Sequence, residues 1–318
     1  MEQATDPTEN AAVKTARGWW PEDRRTIVFA MFVAILSLAF VSPLAALFRH
    51  ALKEELHSHI LLIPVISLYL AGMQRESLPK TRQASPAGWV LFALLAVLIY
   101  LVPQLAKWND GWSLNDQLSQ STACYVLLLV AGGFAILGSS WMRLLVFPFG
   151  FLIFMIPMPD AFVVSFEEML MKLSAQMAEI FFQLTGTRVH RDGQLIELPG
   201  MSMVVARECS GIRSTVVLFI TSVLASVMFL KSPVHRLILV ALVIPLGILR
   251  NAFRVMVLGL LCVHISPEMI DSWVHHRGGP IFFGISLVPL FLTAAWFRYR
   301  EVKREKSAIE SDLPSTNP

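Results

Sequence analysis

Residues 237–263 read LILVALVIPLGILRNAFRVMVLGLLCV. The run is long enough to cross a bilayer, which takes about 20 apolar residues in a helix. Yet it carries Arg250 and Arg254 in its middle. A charge at the centre of a membrane helix costs about 2.5–3.5 kcal/mol on insertion scales, and a simple anchor has no use for two. The arginines are four residues apart and Asn251 stands three before Arg254, so on a helix all three fall on or near one face. That face must look into protein or a wet cavity, and a polar face at membrane depth points to a functional site.

The rest of the chain agrees with a membrane reading. Of 318 residues, 55% are hydrophobic and only 15% charged, against about 25% charged in ordinary soluble domains. No basic tract with interleaved aromatics occurs, which argues against a nucleic-acid partner. Met1 to Asn10 are polar and acidic, and apolar sequence starts only at Ile27, so no cleavable signal peptide is expected. Residues 1–20 and 305–318 have little to bury and read as disordered tails around one membrane-embedded domain, 21–304. Cys124 and Cys262 lie in apolar runs, where cysteine behaves as a small hydrophobe. His57 and His59 form an HxH pair, but no third ligand stands at a telling spacing, and neither metal nor other cofactor is expected.

Eight apolar runs approach bilayer length: 26–48, 58–73, 87–106, 121–138, 142–158, 212–230, 236–263 and 280–297. The expected fold is therefore an all-α polytopic membrane protein of about eight transmembrane helices. With the N-terminus inside, fifteen of the 26 Lys and Arg residues fall on the cytoplasmic side, including Arg24, Arg25, Arg75, Lys231 and the Arg298–Lys306 group. Only Arg49, Lys53, Lys107 and Arg277 fall in short outer loops. The positive-inside bias thus puts both termini in the cytoplasm.

That topology leaves residues 159–211 outside. Val163, Phe166, Leu170, Leu173, Met177, Ile180 and Leu184 repeat at three- and four-residue spacing, which predicts an amphipathic helix. Asp192-Gly193 between short apolar stretches predicts a hairpin turn, Pro199-Gly200 breaks the second strand, and Met201 to Ala206 reads as a further extended stretch.

Three segments carrying chemistry map to the outer side. Arg207-Glu208-Cys209-Ser210-Gly211-Ile212-Arg213 sets a cysteine at a helix N-terminus between two arginines. Both influences favour the thiolate, although a buried structural thiol flanked by anchoring arginines gives the same local pattern. Arg254 lies about 13 Å below the outer end of its helix at 1.5 Å per residue, with Arg250 one turn deeper. There an arginine can hold an anion or stabilise an oxyanion. Ser272-Trp273-Val274-His275-His276-Arg277-Gly278-Gly279 adds imidazoles suited to proton transfer. Cysteine, histidine and an anion-stabilising group together are the minimal equipment for acyl transfer through a thioester.

At these residues the chain resembles the exosortase/archaeosortase family of membrane transpeptidases. The resemblance rests on Glu208-Cys209-Ser210-Gly211-Ile212-Arg213, on Asn251-Ala-Phe-Arg254-Val and on His275-His276-Arg277-Gly278-Gly279. Ser58-His59-Ile-Leu-Leu-Ile-Pro64 and Phe154-Met-Ile-Pro157-Met-Pro159 support it. It implies a cysteine enzyme of the bacterial cytoplasmic membrane. Such an enzyme recognises exported proteins by a C-terminal signal of short motif, membrane helix and basic cluster, and transfers them to another acceptor, often in organisms that make exopolysaccharide. On this resemblance Cys209 is the nucleophile, Arg254 assists at the oxyanion or thiolate, and His275 moves protons. His276 and Arg277 remain alternatives for the third role; Arg250, Asn251, Glu208 and Arg213 are candidate catalytic or substrate-binding neighbours. Implied partners are the signal-bearing proteins, membrane lipid and an acceptor of unknown kind. The residues leave two other classes open: a transporter holding an anionic solute on Arg250 and Arg254, and a scaffold for polysaccharide export.

Overall fold

The computed structural model describes residues 24–79, 85–205, 211–271 and 278–312. They form two compact units, one ending at Asp160 and the other beginning at Ala161. This division falls inside the single embedded domain, 21–304, read from the sequence.

The first unit opens with α1 (Arg24–Ala39) and α2 (Val41–Lys53). Sequence alone reads one span here, but the two helices meet at Phe40 with a 77° bend. Pro43 has no N–H to donate to the Ala39 carbonyl, which releases the helix at that point. A 3-10 turn, Glu55–Leu61, leads into α3 (Ile63–Met73), followed by α4 (Pro86–Leu105) and α5 (Leu114–Gly132). Ser85 and Ser113 cap α4 and α5 by accepting from the amides of Gly88 and Asp116, a common way to satisfy first-turn donors.

Beyond α5 the backbone passes through a π turn, Gly133–Leu137, and then Gly138 at φ +86°. The fifth apolar run is therefore not one straight span. It breaks into α6 (Ser139–Leu144), α7 (Val146–Phe151) and a 3-10 turn, Leu152–Met155. The proline-rich connector that follows is held by α5. Asn115 Nδ2 donates to the Met158 carbonyl and to Asp160 Oδ1, both at 2.7 Å. Ser119 Oγ donates to the Pro157 carbonyl at 2.7 Å.

The second unit begins with α8, a 25-residue helix whose bounds are Asp160–Leu184. The amphipathic helix is present, but its inward face is rotated from the expected stripe. Leu170, Met171, Ser174, Ala175, Ala178 and Phe182 are buried, whereas Leu173, Ile180 and Leu184 are exposed. The buried stripe is rich in small residues, which brings the neighbouring sheet close, and the large side chains left outside suit contact with lipid.

That sheet contains β1 (His190–Asp192), β2 (Leu195–Leu198) and β3 (Met201–Val204), antiparallel in chain order. The first turn sits one residue later than the sequence suggests. Asp192 pairs with Leu195, leaving Gly193-Gln194 as the loop, with Gly193 at φ +60°. Pro199-Gly200 is the second two-residue turn and joins Leu198 to Met201.

Four helices complete this unit: α9 (Ile212–Phe229), α10 (Pro233–Ala241), α11 (Val243–His264) and α12 (Gly279–Asp312). Two cores fasten it. Ala175, Ala178 and Phe182 of α8 pack with Ile196, Leu198 and Met203 of the sheet against Ala252, Val255 and Leu258 of α11. Leu218, Leu239, Val243, Leu290 and Ala294 join α9, α10, α11 and α12. α12 continues to Asp312, past residue 305 where the sequence reading starts the polar tail.

Among the described residues, six helices are long and apolar enough to cross a membrane, or eight if each bent pair counts as one span. The bent pairs are α1 with α2, and residues 146–155 with α8. The architecture is that of an all-α polytopic membrane protein carrying one small sheet.

Candidate active site

Cys209 and Glu208, and likewise His275, His276 and Arg277, lie outside the described residues. Arg213, Arg250, Asn251 and Arg254 lie within them. Their geometry is organised by one turn of α11.

Arg250 and Asn251 are 7% and 2% exposed, so the polar pair is sunk into the second unit. Arg250 Nη2 donates to the Gly211 carbonyl at 3.0 Å and to Thr215 Oγ1 at 3.3 Å. Thr215 Oγ1 in turn donates to the same carbonyl at 2.9 Å. A closed triangle results, in which one backbone oxygen at the start of α9 takes a charge-assisted bond from a buried guanidinium. Such bonds are roughly twice as strong as neutral ones. The Ser214 hydroxyl donates to this oxygen as well, at 3.2 Å.

Gly211 is the N-cap of α9, and its φ of +70° is the left-handed conformation that glycine adopts without steric cost. A Cβ there would meet Arg250 Nη2 at 2.9 Å and Asn251 Oδ1 at 3.1 Å. Gly247, one turn before Arg250, plays the matching part on α11: a Cβ on it would stand 2.8 Å from Thr215 Oγ1. α9 and α11 thus approach closely at this level because each offers a glycine to the other.

The same turn reaches the last helix. Phe253 packs edge-on against Phe282 of α12, with ring centroids 6.1 Å apart. Residues 250–253 therefore contact both the chain just after Cys209 and the first turn of α12, which follows His275–Arg277. Arg254 is partly buried, and Arg213 is exposed on the first turn of α9.

Sequence reasoning found the arginines but not Gly211, Thr215 or Gly247 as a set. No local pattern marks them, because each matters only through a partner about 30 residues or more away in the chain. The two histidines of the HxH pair have different neighbours. His57 lies against His50, ring centroids 5.0 Å apart, while His59 Nδ1 approaches the Leu56 carbonyl at 3.1 Å. Among the described residues no three His, Cys, Asp or Glu side chains group in a way that could hold a metal ion.

A buried arginine set against a helix N-terminus, with a second, partly buried arginine one turn on, defines a polar site inside a many-helix membrane protein. The family model described as transmembrane exosortase matches residues 51–292, most of the chain and all the segments that build this site. The chain belongs to the transmembrane exosortase family. No curated protein and no solved structure matches it.

Proposed function

We propose that the protein is a membrane cysteine transpeptidase that processes C-terminal sorting signals on exported proteins. Cys209 Sγ, as thiolate, adds to the scissile carbonyl carbon, and the tetrahedral oxyanion is met by the Arg254 guanidinium. The intermediate collapses as the C–N bond breaks and the departing amine takes a proton from His275. A thioester remains on Cys209. An acceptor O–H or N–H then gives its proton to His275 and attacks the thioester, so that the C–S bond breaks and the thiolate returns. Three-part arrangements of nucleophile, proton carrier and oxyanion donor perform acyl transfer on many unrelated folds.

One observation carries this reading: α11 residues 250–253 are in contact both with Gly211 and with Phe282. Gly211 follows Cys209 by two residues in the sequence. Gly278 follows His275 by three residues in the sequence and opens the described stretch that leads to Phe282. Contact of one turn of α11 with the described residues that follow the family's cysteine segment and its histidine segment supports the reading. Arg250 spends Nη2 on the protein's own backbone, which ties that nitrogen to the fold rather than to a solute.

The charge bias supports both termini on the cytoplasmic side and the Cys209 and His275 segments on the outer side, and family membership supports a bacterial inner membrane as the site. Substrates then arrive by export and present their cleavage motif at the outer interface, and the acceptor belongs to the cell-surface material, exopolysaccharide among it.

The test follows an exported reporter carrying a motif, a membrane helix and a basic C-terminus from the native host. It is expressed with wild-type enzyme or with Cys209→Ala at equal abundance, and intact mass is read. Loss of the reporter's C-terminal helix with wild type alone supports the proposal. Equal processing by both proteins removes Cys209 as nucleophile.

A further inference from the structure

The first unit has a cavity of about 480 Å³, open on one side, between α1, α3, α5 and the short helices after it. Ala71, Leu137, Trp141 and Leu145 form a buried apolar cluster at its floor. Ala30, Pro64 and Leu68 line it from the exposed side of the unit. We propose that this cavity is a binding site for one acyl chain of an anionic membrane phospholipid.

Three features of the cavity select that occupant. Its volume falls within the range of sites that hold whole ligands. Left empty, its apolar lining would lack the packing contacts that close-packed interiors supply. Water is a poor filler, because each buried molecule needs two to four polar partners. Apart from Thr26, the polar side chains on the wall are already engaged. Ser67 Oγ donates to the Pro148 carbonyl at 2.7 Å, Tyr125 shares a hydrogen bond with Ser37 at 2.9 Å, and Trp141 Nε1 donates to the Pro79 carbonyl at 3.1 Å.

The surroundings decide the direction of entry. Ile27, Met31, Ile35 and Leu38 on α1, with Val65 and Tyr69 on α3, are exposed large side chains of the kind that meets lipid. A chain leaving the bilayer between these helices therefore never crosses a polar surface. The polar end of the site is Thr26, whose Oγ1 is buried and has no hydrogen-bond partner. Arg24 and Arg25 precede it, both exposed. A hydroxyl donor beside two cations suits the phosphate of an anionic headgroup.

The experiment uses the full chain in vesicles doped with phosphatidylglycerol bearing a photoactivatable diazirine near the end of one acyl chain. Cross-linked peptides are mapped by mass spectrometry. Label on residues 67–71 and 137–152, inside the cavity, is expected. Filling the floor with Ala71→Trp, or blocking the exposed side with Ala30→Phe, should each abolish that label while label at Ile35 and Val65 persists. The second variant places bulk at an exposed position, so it reports even if the first fails to fold. Label confined to the outer faces in wild type would overturn the proposal, as would interior label unaffected by both variants. A large gain of interior label on deleting residues 1–22 would also overturn it, by showing that the chain's own N-terminal segment is the occupant.

Discussion

Replacing Gly211 by alanine tests whether the Arg250 triangle sets the position of the nucleophile. At φ +70° a Cβ costs about 1–2 kcal/mol through its clash with the backbone. The added methyl would also stand 2.9 Å from Arg250 Nη2, too near to remain without movement. Displacing the guanidinium forfeits its bond to the Gly211 carbonyl, and a hydrogen bond to a charged group is worth about 1.5–3 kcal/mol. The two effects sum to about 2.5–5 kcal/mol. A domain in the upper part of the usual range of about 5–15 kcal/mol survives that loss, and the protein should then still fold while its turn leaves the native conformation. At 1.36 kcal/mol per factor of ten, reporter processing should fall between about 70-fold and a few thousandfold. Processing is measured at equal enzyme abundance, beside the rate of maleimide labelling at Cys209 resolved by peptide mass; Cys124 and Cys262 are buried. Processing and labelling both within about twofold of wild type, a shift of only about 0.4 kcal/mol, would refute the link from Gly211 to the cysteine.

Gly247→Ala should separate α9 from α11, since its Cβ would meet Thr215 Oγ1 at 2.8 Å. Overpacking of this kind costs about 1–3 kcal/mol, and adding Thr215→Ala should recover part of the loss of thermal resistance, read as protein remaining monodisperse after heating. Glu301→Gln should lower resistance to heat by about 1.5–3 kcal/mol equivalent. Its carboxylate accepts from the amides of Lys231 and Ser232 and pairs with His235 Nδ1, all within 3.0 Å, and an unchanged profile would contradict this. Asn115→Leu should leave the Met158 carbonyl without its side-chain donor. That costs about 1–3 kcal/mol for a buried group and should open the 155–160 connector to proteolysis, measured by limited digestion.

How far the sequence revealed the fold can be judged from particular stretches. Apolar length identifies α4, α5 and α9 to within several residues, because burial in lipid demands little beyond hydrophobicity and helical hydrogen bonding. It misreads 26–48 and 142–158 for the same reason: the average is apolar, and only Pro43, Gly138 and Pro148 show that the backbone cannot stay straight. On α8 the helical period was plain but the inward face was not. Large residues draw the eye, whereas the packed stripe is Ser174, Ala175 and Ala178. Arg250 and Arg254 stood out because charge is rare in such a run. What Arg250 binds was hidden, since the Gly211 carbonyl is a backbone atom 39 residues away and leaves no mark in composition.

The carboxylate of Glu301 has a consequence for how the molecule is made. It caps α10 from a distance of about 70 residues in sequence, and Ser232 supplies no side-chain cap of its own. Ribosomes add roughly 5–20 residues per second, so the amides of Lys231 and Ser232 wait about 4–14 s for their acceptor. During that interval α10 and α11, which run on as one span from Pro233 to His264 and carry Arg250 and Arg254, are not yet fastened by α12. Translation itself becomes a checkpoint: a chain cut short before residue 301 carries the arginines without the clasp that seats their helix.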